Sequence, residues 1–98
     1  MPHILIVEDD ASARTALGEL VSTEGFTTAL AGSLRDARIQ MSRHSPDAVL
    51  IDLLLPDGNG MEFLTELAGS TAIKIVTTLY SDDDHLFPAL QCGADGYL

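Results

Sequence analysis

An α/β fold, a parallel sheet with helices on both faces, is what the 98-residue sequence predicts. Three observations carry the prediction. Short continuous apolar runs, such as Ile4-Leu5-Ile6-Val7 and Ala48-Val49-Leu50-Ile51, have the character of strands buried on both faces. Segments with apolar residues at helical spacing alternate with them. The connections between the two are short, which implies right-handed crossovers and one domain over residues 1–98.

The elements follow in order. After Ile4–Val7, residues Ala13, Ala16, Leu17, Leu20 and Val21 mark a first helix, with Asp10 as its cap and Gly25 as its stop. Phe26 to Ala31 is a second strand, more polar and so suited to a sheet edge. Ser33 with Asp36 opens a second helix as a variant capping box, and Leu34, Ala37 and Met41 form its apolar stripe. Ser45-Pro46-Asp47 is a break before the third strand, Ala48–Ile51, which ends in Asp52. Pro56-Asp57-Gly58-Asn59-Gly60 reads as a turn. Met61, Leu64, Leu67 and Ala68 mark a third helix, and Met41, Met61 and Phe63 sit at core spacing. Ile73 to Thr77 is the fourth strand. Ser81-Asp82-Asp83-Asp84 opens a fourth helix, in which Pro88 predicts a kink or a restart near Phe87. Gly96-Tyr97-Leu98 begins a fifth strand. The sequence lacks a final helix to cover that strand, so it reads as a fragment of a longer chain.

Composition narrows the functional classes. Apolar residues make up 46% and charged residues 20%, which is ordinary globular usage. Fifteen acidic residues against five basic ones give a net charge of −10, which argues against nucleic-acid binding by this domain. Such a balance suits a divalent cation or a basic partner surface. The single cysteine, Cys92, excludes a disulfide scaffold and fits a reducing, cytoplasmic setting. No apolar run approaches the ~20 residues of a membrane span. His3, His44 and His85 show no ligand spacing and read as surface or packing residues.

In an open parallel sheet, ligands sit beyond the carboxyl ends of the strands. Here those ends carry Glu8-Asp9-Asp10, Asp52 and Thr77-Thr78. Carboxylates from two strands then converge in one crevice, where like charges are unfavourable unless neutralised. A hard divalent cation such as magnesium does this with one or two carboxylates and retained waters.

The runs Ile-Leu-Ile-Val-Glu-Asp-Asp at 4–10, Asp-Leu-Leu-Leu-Pro-Asp-Gly-Asn-Gly at 52–60 and Gly-Ala-Asp-Gly-Tyr-Leu at 93–98 resemble the receiver domain of two-component response regulators. The resemblance implies a flavodoxin-like doubly wound sheet of order 2-1-3-4-5, truncated in or after the fifth strand. It makes Asp52 the phosphoacceptor, Thr78 the switch hydroxyl and Tyr97 the switch aromatic. Asp9 would bind Mg2+ directly and Glu8 through water, with Asp52 and the backbone carbonyl of Leu54 completing the metal set. The family's phosphoryl-holding lysine falls just past Leu98. The implied partners are a sensor histidine kinase and a second receiver as a dimer partner, and the implied output is transcription through another domain. The domain would be no enzyme beyond its own phosphoryl transfer and dephosphorylation. Two departures stand out: Pro88 in the fourth helix, and Leu79 where the family usually has a small residue. Two other classes compete. A pseudo-receiver would act as a dimerisation module without phosphate, and an aspartate-nucleophile phosphatase would need a second acid where this chain has Leu54.

Overall fold

The continuous apolar run at the start forms the strand it predicts. In a computed structural model, which describes residues 2–52, 54–77 and 95–97, β1 (His3–Val7) is buried along its whole length. It is followed by α1 (Ala11–Thr23), β2 (Thr27–Ala31), α2 (Leu34–Arg43), β3 (Ala48–Ile51), β4 (Leu54–Leu55), β5 (Gly58–Asn59), α3 (Gly60–Glu66), β6 (Ile73–Val76) and β7 (Gly96–Tyr97). The main sheet is parallel, in the order β2-β1-β3-β6-β7. This is the expected 2-1-3-4-5 order, because β4 and β5 pair only with each other as an antiparallel hairpin. The polar second strand does lie at the sheet edge. The stretch expected to form the fourth helix, with Leu79, Asp82 to His85, Pro88 and Cys92, lies outside the described residues.

The caps account for the helix starts. Asp10 is the N-cap of α1, and its Oδ2 accepts from the Ala13 amide at 2.9 Å. At α2, Ser33 Oγ accepts from the Asp36 amide at 3.1 Å. The first two amides of α2 are satisfied from far along the chain: Asp57 accepts from Leu34 N at 2.9 Å and from Arg35 N at 3.0 Å. These bonds hold the Asp57 carboxyl below its usual range. Helix α3 stops at Glu66, short of the expected Ala68. The Leu67 amide donates to both Phe63 O and Leu64 O, which tightens the last turn and ends the helix.

One device recurs at the amino ends of the strands. Asp47 accepts from His3 N at 2.7 Å through Oδ2, and its own amide donates to His3 O at 2.7 Å. Asp95 does the same to Lys74, at 2.8 and 2.7 Å. An aspartate just before one strand thus grips the start of its neighbour and fixes the register. His3 is buried, bonded through Nδ1 to Thr27 Oγ1 at 2.9 Å and stacked on the exposed His44 with ring centroids 4.0 Å apart.

The core sits mainly on one face of the sheet. Leu5, Val7, Val49, Ile51 and Val76 pack there with Leu34 and Ala37 of α2 and Phe63, Leu64 and Leu67 beside them. Full burial of such side chains stabilises by roughly 1.5–3 kcal/mol each. On the other face, Ile6 is buried and α1 approaches closely where Gly18 meets Leu30. The cover thins outward: Leu50 and Ile75 are half-buried, and Ile73 is 54% exposed. Between α2 and the hairpin, Gly58 has φ +155°, and a Cβ built there would stand 2.7 Å from Leu34 Cδ1. Gly58→Ala is therefore expected to destabilise the fold by ~2–3 kcal/mol, combining backbone strain with overpacking. A urea denaturation midpoint equal to wild type would contradict that.

Candidate functional site

The register brings the strand ends level. Val7 pairs with Ala31 and Ile51, and Ile51 pairs with Val76. The ladder runs one residue further on each strand. Glu8 N donates to Ala31 O, Asp52 N to Val7 O and Thr77 N to Ile51 O, each at 2.9 Å. Residues 8, 52 and 77 thereby emerge side by side at the carboxyl edge.

Three of the sequence-predicted site residues meet there. Carboxylate oxygens of Glu8, Asp9 and Asp52 all lie within 4.8 Å of one another. Glu8 and Asp52 are buried, and Asp9 is exposed. Glu8 Oε1 accepts from the Asp10 amide at 3.1 Å. Burial pushes the Glu8 carboxyl up to about 7; the Asp10 amide opposes this, and the Asp52 and Asp9 carboxylates reinforce it. Such a cluster favours a positive charge at its centre, and its all-oxygen donors suit a hard cation.

The other predicted residues are placed less fully. Leu54 opens β4, paired with Asn59. Tyr97 lies on β7, paired with Val76. Thr78 lies outside the described residues. Its neighbour Thr77 has a buried Oγ1 with no hydrogen-bond partner among the described residues. Lys74 is at the opposite end of its strand, where Nζ donates to Ala72 O at 2.9 Å and Ser70 O at 3.3 Å. It is thus far from a role at the carboxyl edge, as its sequence position implies. Two residues near the site go unmarked in the sequence reading. Asp57, taken there only as part of a turn, anchors the loop after Asp52 to α2. Arg14 donates from Nη1 to the carbonyl oxygens of Glu8 and Asp9.

The Glu8 carboxyl makes the metal-free fold sensitive to pH. Between its ordinary value of 4.5 and its folded value of about 7, the folded state binds more protons than the unfolded one. Its contribution to stability is full below 4.5 and is lost as pH rises through about 7. His3 acts oppositely. Burial and then the charge of His44 lower its pKa from 6.5, against the pull of Asp47, so its contribution is lost on acidification. Comparing wild type with Glu8→Gln cancels the histidine. In chelator, the variant should be more stable near pH 8 by about 1–2 kcal/mol, discounted for solvent at the crevice mouth, and the two should converge near pH 4. Parallel melting curves at all pH values would refute this.

A doubly wound parallel sheet with an acidic cluster at its carboxyl edge is the arrangement expected of a receiver domain. The chain belongs to the response regulator receiver domains, whose family model matches residues 4–98. It is 34% identical over 99 residues to the KDP operon transcriptional regulatory protein KdpE of Escherichia coli, covering 100% of this chain and 44% of KdpE. It is 36% identical over 97 residues to the DNA-binding response regulator MtrA of Mycobacterium tuberculosis, covering 98% of this chain and 42% of MtrA. The chain thus spans less than half the length of these relatives. Among solved structures, the BeF3-activated receiver domain of Klebsiella pneumoniae RstA superposes with a TM-score of 0.91 at 26% identity, covering 98% of this chain and 83% of that one. Among the described residues, no helix is long and apolar enough to cross a membrane.

Proposed function

We propose that this chain, working in the cytoplasm, accepts a phosphoryl group on Asp52 from the phosphohistidine of a sensor histidine kinase and passes the change to a transcriptional output. The gathering of Glu8, Asp9 and Asp52 at the strand ends carries the reading. A carboxylate oxygen of Asp52 attacks phosphorus, the phosphorus–nitrogen bond breaks, and the neutral histidine leaves after taking a proton. The product is an acyl phosphate. Glu8, Asp9, Asp52 and the Leu54 carbonyl would hold Mg2+, which when bound offsets the negative charge of the transferring group. Thr78 and Tyr97 complete the switch in this reading.

Ala11, Ser12, Thr15, Ala16 and Glu19 of α1, the helix that follows the Glu8–Asp10 loop, line a shallow groove of about 450 Å³. In this reading its small residues let a partner helix come close. The names of KdpE and MtrA support a transcriptional output. The intact acidic set disfavours a pseudo-receiver, and Leu54 disfavours the phosphatase reading.

Incubating the intact protein with acetyl phosphate and Mg2+ tests the proposal. The expected result is a mass gain of ~80 Da, the size of one phosphoryl group, mapping to Asp52 and absent in chelator. An adduct on another residue, or none, would overturn it.

A further inference from the structure

We infer that Arg14 is a positioning residue of the acidic crevice: its guanidinium clamps the backbone that carries Glu8 and Asp9. Arg14 lies on α1, and the loop between β1 and α1 spans only Glu8 to Asp10. Its Nη1 donates to Glu8 O at 2.8 Å and to Asp9 O at 3.4 Å. Both acidic residues are thus held through their backbone carbonyl groups, so the clamp itself takes up no carboxylate oxygen. Other anchors act on the loop's first and last residues. Glu8 N donates to Ala31 O, Asp10 N donates to Glu8 Oε1, and Asp10 O accepts from Arg14 N within the first turn of the helix. Among the described residues, no other group donates to the carbonyl of Asp9.

The opposite wall of the clamp is Gly32, just after β2. A Cβ built at Gly32 would stand 2.9 Å from Arg14 Nη1 and 3.5 Å from its Cζ. The absence of a side chain there leaves the guanidinium room to reach the loop. Groups that orient metal ligands without touching the metal commonly change affinity by 10–100-fold when removed. No such role is signalled locally in the sequence, because Arg14 sits in the helix like any solvated arginine.

This inference deepens the proposed function and depends on it for the metal. Its test therefore has one arm that needs no metal. In chelator, backbone hydrogen exchange at Asp9 to Ala11 is compared among wild type, Arg14→Gln, Arg14→Lys and Gly32→Ala in the intact protein. Exchange should be faster in Arg14→Gln. Gly32→Ala keeps the arginine but displaces its tip, so it should move in the same direction. Mg2+ titration forms the second arm. Its dissociation constant should rise about tenfold in Arg14→Gln, less in Gly32→Ala, and be partly restored in Arg14→Lys, which has one nitrogen for two carbonyls. Phosphorylation by acetyl phosphate should slow in the same order, while the melting temperature stays close to wild type. Unchanged exchange, or faster exchange with wild-type Mg2+ affinity, overturns the positioning role alone. Wild-type protein that binds no Mg2+ overturns the functional reading and the inference with it, and the metal-free arm still shows whether the clamp holds the loop.

Discussion

Asp52→Asn is expected to abolish phosphoryl uptake while leaving the fold intact. The carboxamide has nearly the same shape as the carboxylate, so the backbone bond from residue 52 to Val7 O at 2.9 Å should survive. What is lost, on the proposed function, is the nucleophile. An amide oxygen carries no full charge and cannot form a stable acyl phosphate, so the rate should fall by at least about a thousandfold. The substitution also removes a negative charge facing buried Glu8. Asp52 is one of the groups that raise the Glu8 carboxyl, so that carboxyl should drop back toward its ordinary 4.5. Two measurements check this together: mass spectrometry after acetyl phosphate treatment, and carboxyl titration of Glu8 by NMR. A persistent adduct would place the chemistry elsewhere. An unmoved Glu8 titration would mean that the two carboxylates do not feel each other.

Much of this arrangement is legible in the sequence because it is local. Ile4–Val7 and Ala48–Ile51 are continuous apolar runs, and a strand buried on both faces needs nothing more. Asp10 and Ser33 cap helices within three residues of themselves, so the chain's own spacing announces them. Asp52 is marked by the strand that precedes it and the turn that follows. The features that escape are those closed over long stretches of chain. Asp57 looks like one residue of a Pro-Asp-Gly turn, yet its oxygens reach the start of α2, 22 and 23 residues away. Asp47 marks a break in the sequence, and only the pairing of β1 with β3 makes it a latch on His3, 44 residues distant. The His3–His44 stack has the same origin. The β4–β5 hairpin is too short to show period-two alternation: it has two residues a side, and Gly58 stands among them. Charge gathering at the crevice is foreseeable from the strand ends, but the burial that raises the Glu8 carboxyl follows only from the packed sheet.

Asp9 and Asp10 are neighbours of the same chemical type, and they should fail in opposite ways. Asp9 is exposed at the mouth of the crevice, with a carboxylate oxygen within 4.8 Å of those of Glu8 and Asp52. Asp10 turns its carboxylate away, onto the Ala13 amide at 2.9 Å. Magnesium uses few protein carboxylates, so losing one that touches it directly is severe. Asp9→Asn should weaken Mg2+ binding by about 10–100-fold and slow phosphorylation accordingly. The metal-free protein should keep its melting temperature or gain slightly, because one of three clustered charges has gone. The side chain of Asp9 also helps raise the Glu8 carboxyl, so the pH dependence of the metal-free fold should flatten in the same variant. Asp10→Ala should do the reverse. It removes an N-cap, which destabilises by ~1 kcal/mol, and it leaves the Mg2+ ligands in place. Isothermal titration with Mg2+ and thermal melts in chelator, run on both variants, separate the two cases. If Asp10→Ala weakens Mg2+ as much as Asp9→Asn does, the loop carries the metal as a unit and no single carboxylate of it deserves the assignment. The geometry argues against that outcome, since Asp10 Oδ2 is engaged by the Ala13 amide and the close carboxylate group consists of Glu8, Asp9 and Asp52.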